Sequence, residues 1–355
     1  MQTPSGAAGT DPRQLDGPSV SATTAVTLAI ADMIGIGVFT SLGFQVAAIP
    51  SPFSVLMLWV VGGVAALAGA LCYAELAAMF PRSGGEYNYL SRSFHPAIGF
   101  LAGWVSATVG FAAPIALAAM AFGSYFEGVV PGAPPLLLGL GVVWLAAIVH
   151  LYGIRQGSQF QNISTFIKLG LIVVLIVSGF VLGTPQDISF APTAHDLTYL
   201  GSAPFAISLV FVLYSYSGWN AATYIAGEIH EPHKNLPRSI IVSLLVVILL
   251  YVALNAVFLY TTPMSLMAGK IDIALIAGKQ IFGESGGRIV GALICIGLVS
   301  SISAMTWIGP RVTMTMGEDL PLLRVFSRRS ANGVPKTAIL TQLTVVPVLD
   351  RKSVV

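Results

Sequence analysis

Residues 34–40 read IGIGVFT, and residues 214–220 read YSYSGWN. Each stretch sits inside a run apolar enough to cross a bilayer. Each interrupts that run with glycine or small polar residues. A carboxylate, Asp32, stands three residues ahead of Gly35. Which helices these two breaks belong to decides the fold.

A spanning helix needs about 20 mostly apolar residues. Charge-poor runs of that size occupy 21–44, 53–80, 97–124, 134–153, 160–183, 201–227, 239–260 and 287–310. The two breaks therefore fall in the first and sixth of eight spans. A ninth run, TAILTQLTVVPVL at 337–349, is short and is followed by Asp350, Arg351 and Lys352. It reads as a partial ninth span in a C-terminally truncated chain.

The composition agrees with an all-α polytopic membrane protein. Charged residues make up 9% of the 355 and hydrophobic residues 55%, against about 25% charged in a soluble domain. Mean hydropathy is +0.83. A net charge of +2 is too small for the basic footprint of a nucleic-acid binder. Cys72 and Cys295 lie in apolar runs and read as packing residues. Residues 1–20, MQTPSGAAGTDPRQLDGPSV, read as a disordered cytoplasmic tail. No HExxH or metal-ligand cluster occurs in the spans. The G-x-G lacks the third glycine of a dinucleotide site. The reading is therefore not an enzyme, and it includes no metal or cofactor.

Basic residues orient the bundle. With the N-terminus in the cytoplasm, Arg13, Arg82, Arg92, Arg155, Lys234, Arg238, Arg311, Arg324, Arg328, Arg329 and Lys336 lie on the cytoplasmic side. Only Lys270, Lys279 and Arg288 lie outside. A multi-pass protein of the cell membrane, N-terminus in, follows.

Unwinding a helix at mid-membrane frees N–H and C=O groups, each costly to leave unsatisfied, so a break persists where it lines a cavity or binds something. Freed amides at the start of a half-helix suit a carboxylate. Freed carbonyls at the end of the other half suit a cation. A site offering both suits a zwitterion such as an α-amino acid. Paired interruptions at equivalent places in two halves are the sequence mark of such a site.

Four stretches carry a resemblance: IGIGVF at 34–39, YAELAAMFPRSGGEYNYL at 73–90, YSYSGWNAATYIAGEIHEPHKNLPRSI at 214–240, and SSISAMTWIGPRVTMTMGEDLPLL at 300–323. From about 22 to 340 the chain resembles the amino acid–polyamine–organocation permeases, most closely the L-type amino acid transporter branch. The resemblance implies the LeuT-like fold, an inverted five-helix repeat with discontinuous helices 1 and 6. The first repeat would cover 21–183 and the external loop 184–200. An incomplete second repeat would cover 201–355. It implies a secondary active amino acid permease working by alternating access, with proton coupling or exchange.

The resemblance also implies roles. Gly35, Ile36, Gly37, Val38 and Phe39 form the first unwound segment, and the amides of Gly37, Val38 and Phe39 hold the substrate carboxylate. The carbonyls of Met33, Ile34, Phe211 and Tyr214 receive the ammonium group, and the Tyr214 ring closes the site from outside. Ser106, Gly110, Ser217 and Ile302 select the side chain. None is charged, which points to a neutral amino acid, while Asp32 keeps a cationic amino acid or polyamine antiporter as the alternative. Lys168 is the one basic residue well inside a span. It either snorkels to the surface or, as in some proton-coupled relatives, sits against the first and eighth spans near Gly35 and Ser301 or Ser303 and exchanges a proton. Asp32 is assigned to coupling with it. Glu75 and Glu228 hold the inner gate, with Arg82, Arg92 and Arg238 as partners. The substrate partner is a small amino acid, with a proton and the bilayer. A channel or a non-transporting sensor on the same fold is the rival reading.

Overall fold

In a computed structural model, residues 20–352 are described. The expected tail at 1–20 lies outside them except for Val20, as does Arg13. The described residues are almost wholly helical; one parallel bridge, Val20 to Ile229, is the only β-type pairing among them.

Among the described residues, eight helical segments are long and apolar enough to cross a membrane: Ala22–Thr40, Pro52–Met79, Pro96–Val129, Pro135–Tyr152, Ile154–Leu182, Ala203–Glu228, Pro232–Thr261 and Ile273–Asp319. They are called the first to eighth spans. The sequence marks their starts. Pro52, Pro96, Pro135 and Pro232 stand in first turns, where a missing N–H costs nothing. Ser21, Ser51 and Ser202 cap the following amides with their hydroxyls.

The eighth span is longer than the run at 287–310. It takes in a helix Ile273–Phe282, a tight turn Gly283–Ser285 and a continuous helix Gly286–Asp319. Every residue from 300 to 312 is buried, because this helix is surrounded on all sides by others. It packs against the first, third, fourth and fifth spans. Its polar residues therefore need partners inside the protein. Arg311 is one of them. Expected as a cytoplasmic loop charge, it is 2% exposed and lies within the helix. The orienting set thereby loses one member, and the bias toward the Val20 end remains. The ninth run forms a helix, Lys336–Lys352.

Both expected breaks are present. The first span is helical over Ala22–Met33, bends through 34–36 and resumes as Gly37–Thr40 and Leu42–Ala48. The sixth is helical over Ala203–Tyr216, turns through 217–220 and continues as a tight 3₁₀ helix, Ala221–Glu228.

Candidate functional site

The two breaks touch. Gly218 has φ +107°, and a Cβ there would lie 2.8 Å from Asp32 Oδ2 and 2.9 Å from both Asp32 C and Met33 N. Only glycine permits both the dihedral and the approach. A Cβ on Gly37 would lie 2.8 Å from Ser215 Oγ. The seventh span pins the crossing. Tyr251 is buried, and its hydroxyl is 2.7 Å from the Met33 carbonyl and 3.0 Å from that of Ser215. One phenol thus serves both unwound segments. Nothing in the sequence singled it out, since a tyrosine in an apolar run reads as core.

A cavity of about 360 Å³ opens at this crossing, within the size range of small-molecule sites. The first span contributes Asp32, Met33, Gly35, Ile36 and Gly37; the sixth contributes Tyr214, Ser215, Ser217, Gly218, Asn220 and Tyr224. Opposite them, the third span supplies a mainly apolar wall through Val109, Gly110, Phe111, Pro114 and Leu117. That helix widens to a π-helix over Ser106–Ala112. Pro114 lacks an N–H, and the Ala113 amide reaches back five residues to the Thr108 carbonyl. Such widenings recur at functional sites.

The amides left free at the first break are offset by one residue from the three expected to hold a carboxylate. Phe39 N–H is spent on the Ile36 carbonyl (3.0 Å). Ile36, Gly37 and Val38 head the short helix, and their N–H groups have no backbone partner among the described residues. Of these residues Ile36 and Gly37 line the cavity, while the side chains of Val38 and Phe39 are buried away from it.

The expected ammonium-binding carbonyls are already engaged. Met33 O accepts from Tyr251 and from Gly35 N–H. Ile34 O accepts from Lys168 Nζ at 2.8 Å and Ser301 Oγ at 2.9 Å. Phe211 O accepts from Ser215 Oγ, and Tyr214 O from Ser217 Oγ at 2.6 Å. Side-chain hydroxyls caused this, since each lies within reach of the carbonyl it caps. Asp32, in contrast, lines the cavity with no hydrogen bond to its carboxylate among the described residues. Phe211 stacks on Phe44 outside the site, with ring centroids 5.5 Å apart.

Of the expected selectivity residues, Gly110 and Ser217 line the cavity. Ser106 lies behind it, its hydroxyl against that of Tyr224. Ile302 is fully buried and faces away; helical register turns Ser301 and Met305 toward the cavity instead. Tyr214 stands at the rim, 58% exposed.

Lys168 does not snorkel. It is 2% exposed, and its Nζ is 3.2 Å from Ala31 O, 2.8 Å from Ile34 O and 2.8 Å from Ser301 Oγ. The first half-helix ends here, so the ammonium meets the negative end of a helix dipole. Asp32 lies on the cavity side of the same break. Ser303, the other expected neighbour, bonds His150 Nε2 at 2.9 Å.

Beyond the cavity toward the Val20 end, the side chains pair differently from expectation. Glu228 binds Arg311, with Nε to Oε1 at 2.8 Å, and accepts from Trp307 Nε1. Arg82 pairs with Glu318 and Asp319 instead. Arg92 bonds Asn88. Glu75 and Arg238 are exposed and form no ion pair among the described residues. Glu228 chooses Arg311 because both are buried where no loop arginine reaches.

Sequence reasoning passed over Glu86. It follows Gly84 and Gly85, both with positive φ (+108° and +51°), which let the loop tuck under Tyr224. Its carboxylate accepts from the Tyr73 hydroxyl (3.1 Å), the Asn220 amide and the Tyr224 hydroxyl. The signal was visible: SGGE places a carboxylate directly after a glycine pair.

A family model described as "Amino acid permease" matches residues 20–349. The chain is 26% identical over 309 residues to the b(0,+)-type amino acid transporter 1 of Mus musculus, covering 85% of this chain and 63% of that protein. It is 29% identical over 301 residues to the serine/threonine exchanger SteT of Bacillus subtilis, covering 83% and 67%. It is 30% identical over 270 residues to the Asc-type amino acid transporter 1 of Mus musculus, covering 73% and 51%. The chain thus spans 63% of the length of the first of these relatives.

Proposed function

The chain belongs to the amino acid permease family, and on that premise we propose that it carries amino acids across a membrane by alternating access. The observation that supports this best is the crossing of two interrupted helices on one cavity. The substrate carboxylate is taken by the free N–H groups of Ile36 and Gly37, at the positive start of a half-helix. The ammonium turns to the Asp32 carboxylate, which has no hydrogen bond among the described residues to give up. The side chain lies against the wall of the third span, near Gly110 and Ser217. That wall carries no charge, which favours a neutral amino acid.

Tyr214 at the rim closes the site from its own end. On the Val20 end, the Arg82–Asp319 and Glu228–Arg311 pairs hold the other gate shut in this conformation. Lys168 couples the cycle to a proton: its ammonium holds the carbonyl end of the first break, so loss of that charge loosens the break. Residues 21–183 form one repeat, and 201–355 belong to the second. The N-terminus lies in the cytoplasm and the protein in the cell membrane.

Counterflow in proteoliposomes tests the reading. Vesicles preloaded with one amino acid should accumulate labelled amino acid above equilibrium, with neutral species the best preloads. Binding without flux would favour a sensor. Ion current independent of amino acid would favour a channel.

A further inference from the structure

Glu86 has no part in the cycle described so far. It is a carboxylate without a cationic partner among the described residues, held by three neutral donors. Two of those donors, Asn220 and Tyr224, line the cavity. In all three contacts the carboxylate oxygens of Glu86 accept and the neighbour donates. Glu86 therefore dictates which atoms of its neighbours face it. The Asn220 NH₂ and the Tyr224 O–H must point down to Glu86, whatever the cavity contains.

What remains for the cavity follows by subtraction. The Asn220 amide has its NH₂ turned away, so its carbonyl oxygen is the end left to meet a ligand. That oxygen has no partner among the described residues, and it is not among the buried orphan atoms. Ser217 spends its proton on the Tyr214 carbonyl and Ser215 its own on that of Phe211. Both keep only lone pairs for a ligand. Apart from the Tyr214 hydroxyl at the rim, the side-chain donors that line the cavity are consumed among the described residues, and the acceptors are not.

Resting on the permease reading above, we infer that Glu86 is a specificity-determining positioning residue. It makes the substrate compartment acceptor-lined and so selects amino acids whose side chain donates a hydrogen bond. A hydroxyl or an amide NH₂ finds a partner there. Away from the Tyr214 rim, an ether oxygen meets only lone pairs and loses its own hydration.

Three isomers isolate the effect. Threonine and homoserine carry a side-chain donor, and O-methylserine has the same atoms with none; alanine serves as the reference with no polar side chain. Transport or binding of each is measured on the whole chain in proteoliposomes. Threonine or homoserine should exceed O-methylserine by about tenfold in the parent protein. In Glu86→Gln the new NH₂ opposes a donor, so Asn220 or Tyr224 must turn and offer a donor to the cavity. The threonine to O-methylserine ratio should then fall to within about threefold. A merely structural defect would lower all four substrates in proportion. Tyr73→Phe removes a Glu86 partner outside the cavity and should keep the ratio.

A parent ratio near one overturns the inference, and so does a Glu86→Gln ratio equal to the parent's. The parent panel decides even if Glu86→Gln does not fold. If alanine is carried and the isomers are not distinguished, the inference alone fails. If no amino acid is bound or carried, the permease reading fails and takes the inference with it.

Discussion

Replacing Gly218 with alanine tests the crossing directly. The new methyl carbon would lie 2.8 Å from Asp32 Oδ2, 2.9 Å from Asp32 C and 2.9 Å from Met33 N. Two of these atoms are backbone and cannot rotate aside. The dihedral adds to this, since φ +107° is strained for any L side chain by about 1–3 kcal/mol. Forcing a methyl into a packed contact costs about 1–3 kcal/mol more. The sum is roughly 2–6 kcal/mol, and even about 3 kcal/mol shifts a population more than a hundredfold. The only relief is for the two breaks to part, which dismantles the cavity. Gly218→Ala should therefore melt well below the parent in detergent and lose amino acid binding. Gly170→Ala is the control. Beyond its own turn of helix, no atom among the described residues lies within 4 Å of the position its Cβ would take, so it should gain up to about 1 kcal/mol from helix propensity. Gly35 likewise has nothing within 4 Å, and its alanine variant should fold. If Gly218→Ala melted with the parent and bound amino acid equally well, the reasoning about the crossing would be wrong.

Three further outcomes are expected. Glu228→Leu strands the Arg311 guanidinium and should cost about 3–5 kcal/mol, most of it restored by adding Arg311→Met; a double mutant no better than the single, in a thermal-unfolding cycle, contradicts this. Lys168→Met keeps the side-chain length but leaves Ala31 O without its donor; uptake driven by a pH gradient should vanish while binding weakens less, and normal pH-driven accumulation refutes the coupling role. In the loop 184–200, hydroxyls of Ser51, Ser54 and Thr193 and the Thr193 amide hold the Asp196 carboxyl well below the usual carboxylate range. A depressed pKa stabilises above the ordinary value and the benefit is lost as pH falls through the folded one, so the loop should resist proteolysis down to about pH 4, whereas Asp196→Asn should be cut faster at neutral pH.

The membrane class, the span count and the two breaks were all legible without coordinates. Each rests on local chemistry: a charge-free run of sufficient length must be helical in lipid, and glycine with small polar residues in that run must mark an interruption. Lys168 was legible for a related reason, since a lone cation in such a run has few places to go. The freed amides at the first break fall on Ile36, Gly37 and Val38, because helix N-termini leave donors unpaired.

What the chain could not reveal by itself was which of those freed groups stay free. That depends on side chains arriving from elsewhere. Tyr251, Ser215, Ser217 and Ser301 take up carbonyls that looked available. Arg311, not a loop arginine, finds Glu228. Steric demand likewise moved from the conspicuous Gly35 to Gly218, because contact across two helices is set by their crossing and not by either sequence. Glu86 gives the sharpest case. Its spacing marks a turn, but its influence on the cavity runs through the hydrogens of Asn220 and Tyr224. A residue's identity tells what it can donate; only its neighbours in three dimensions decide to whom.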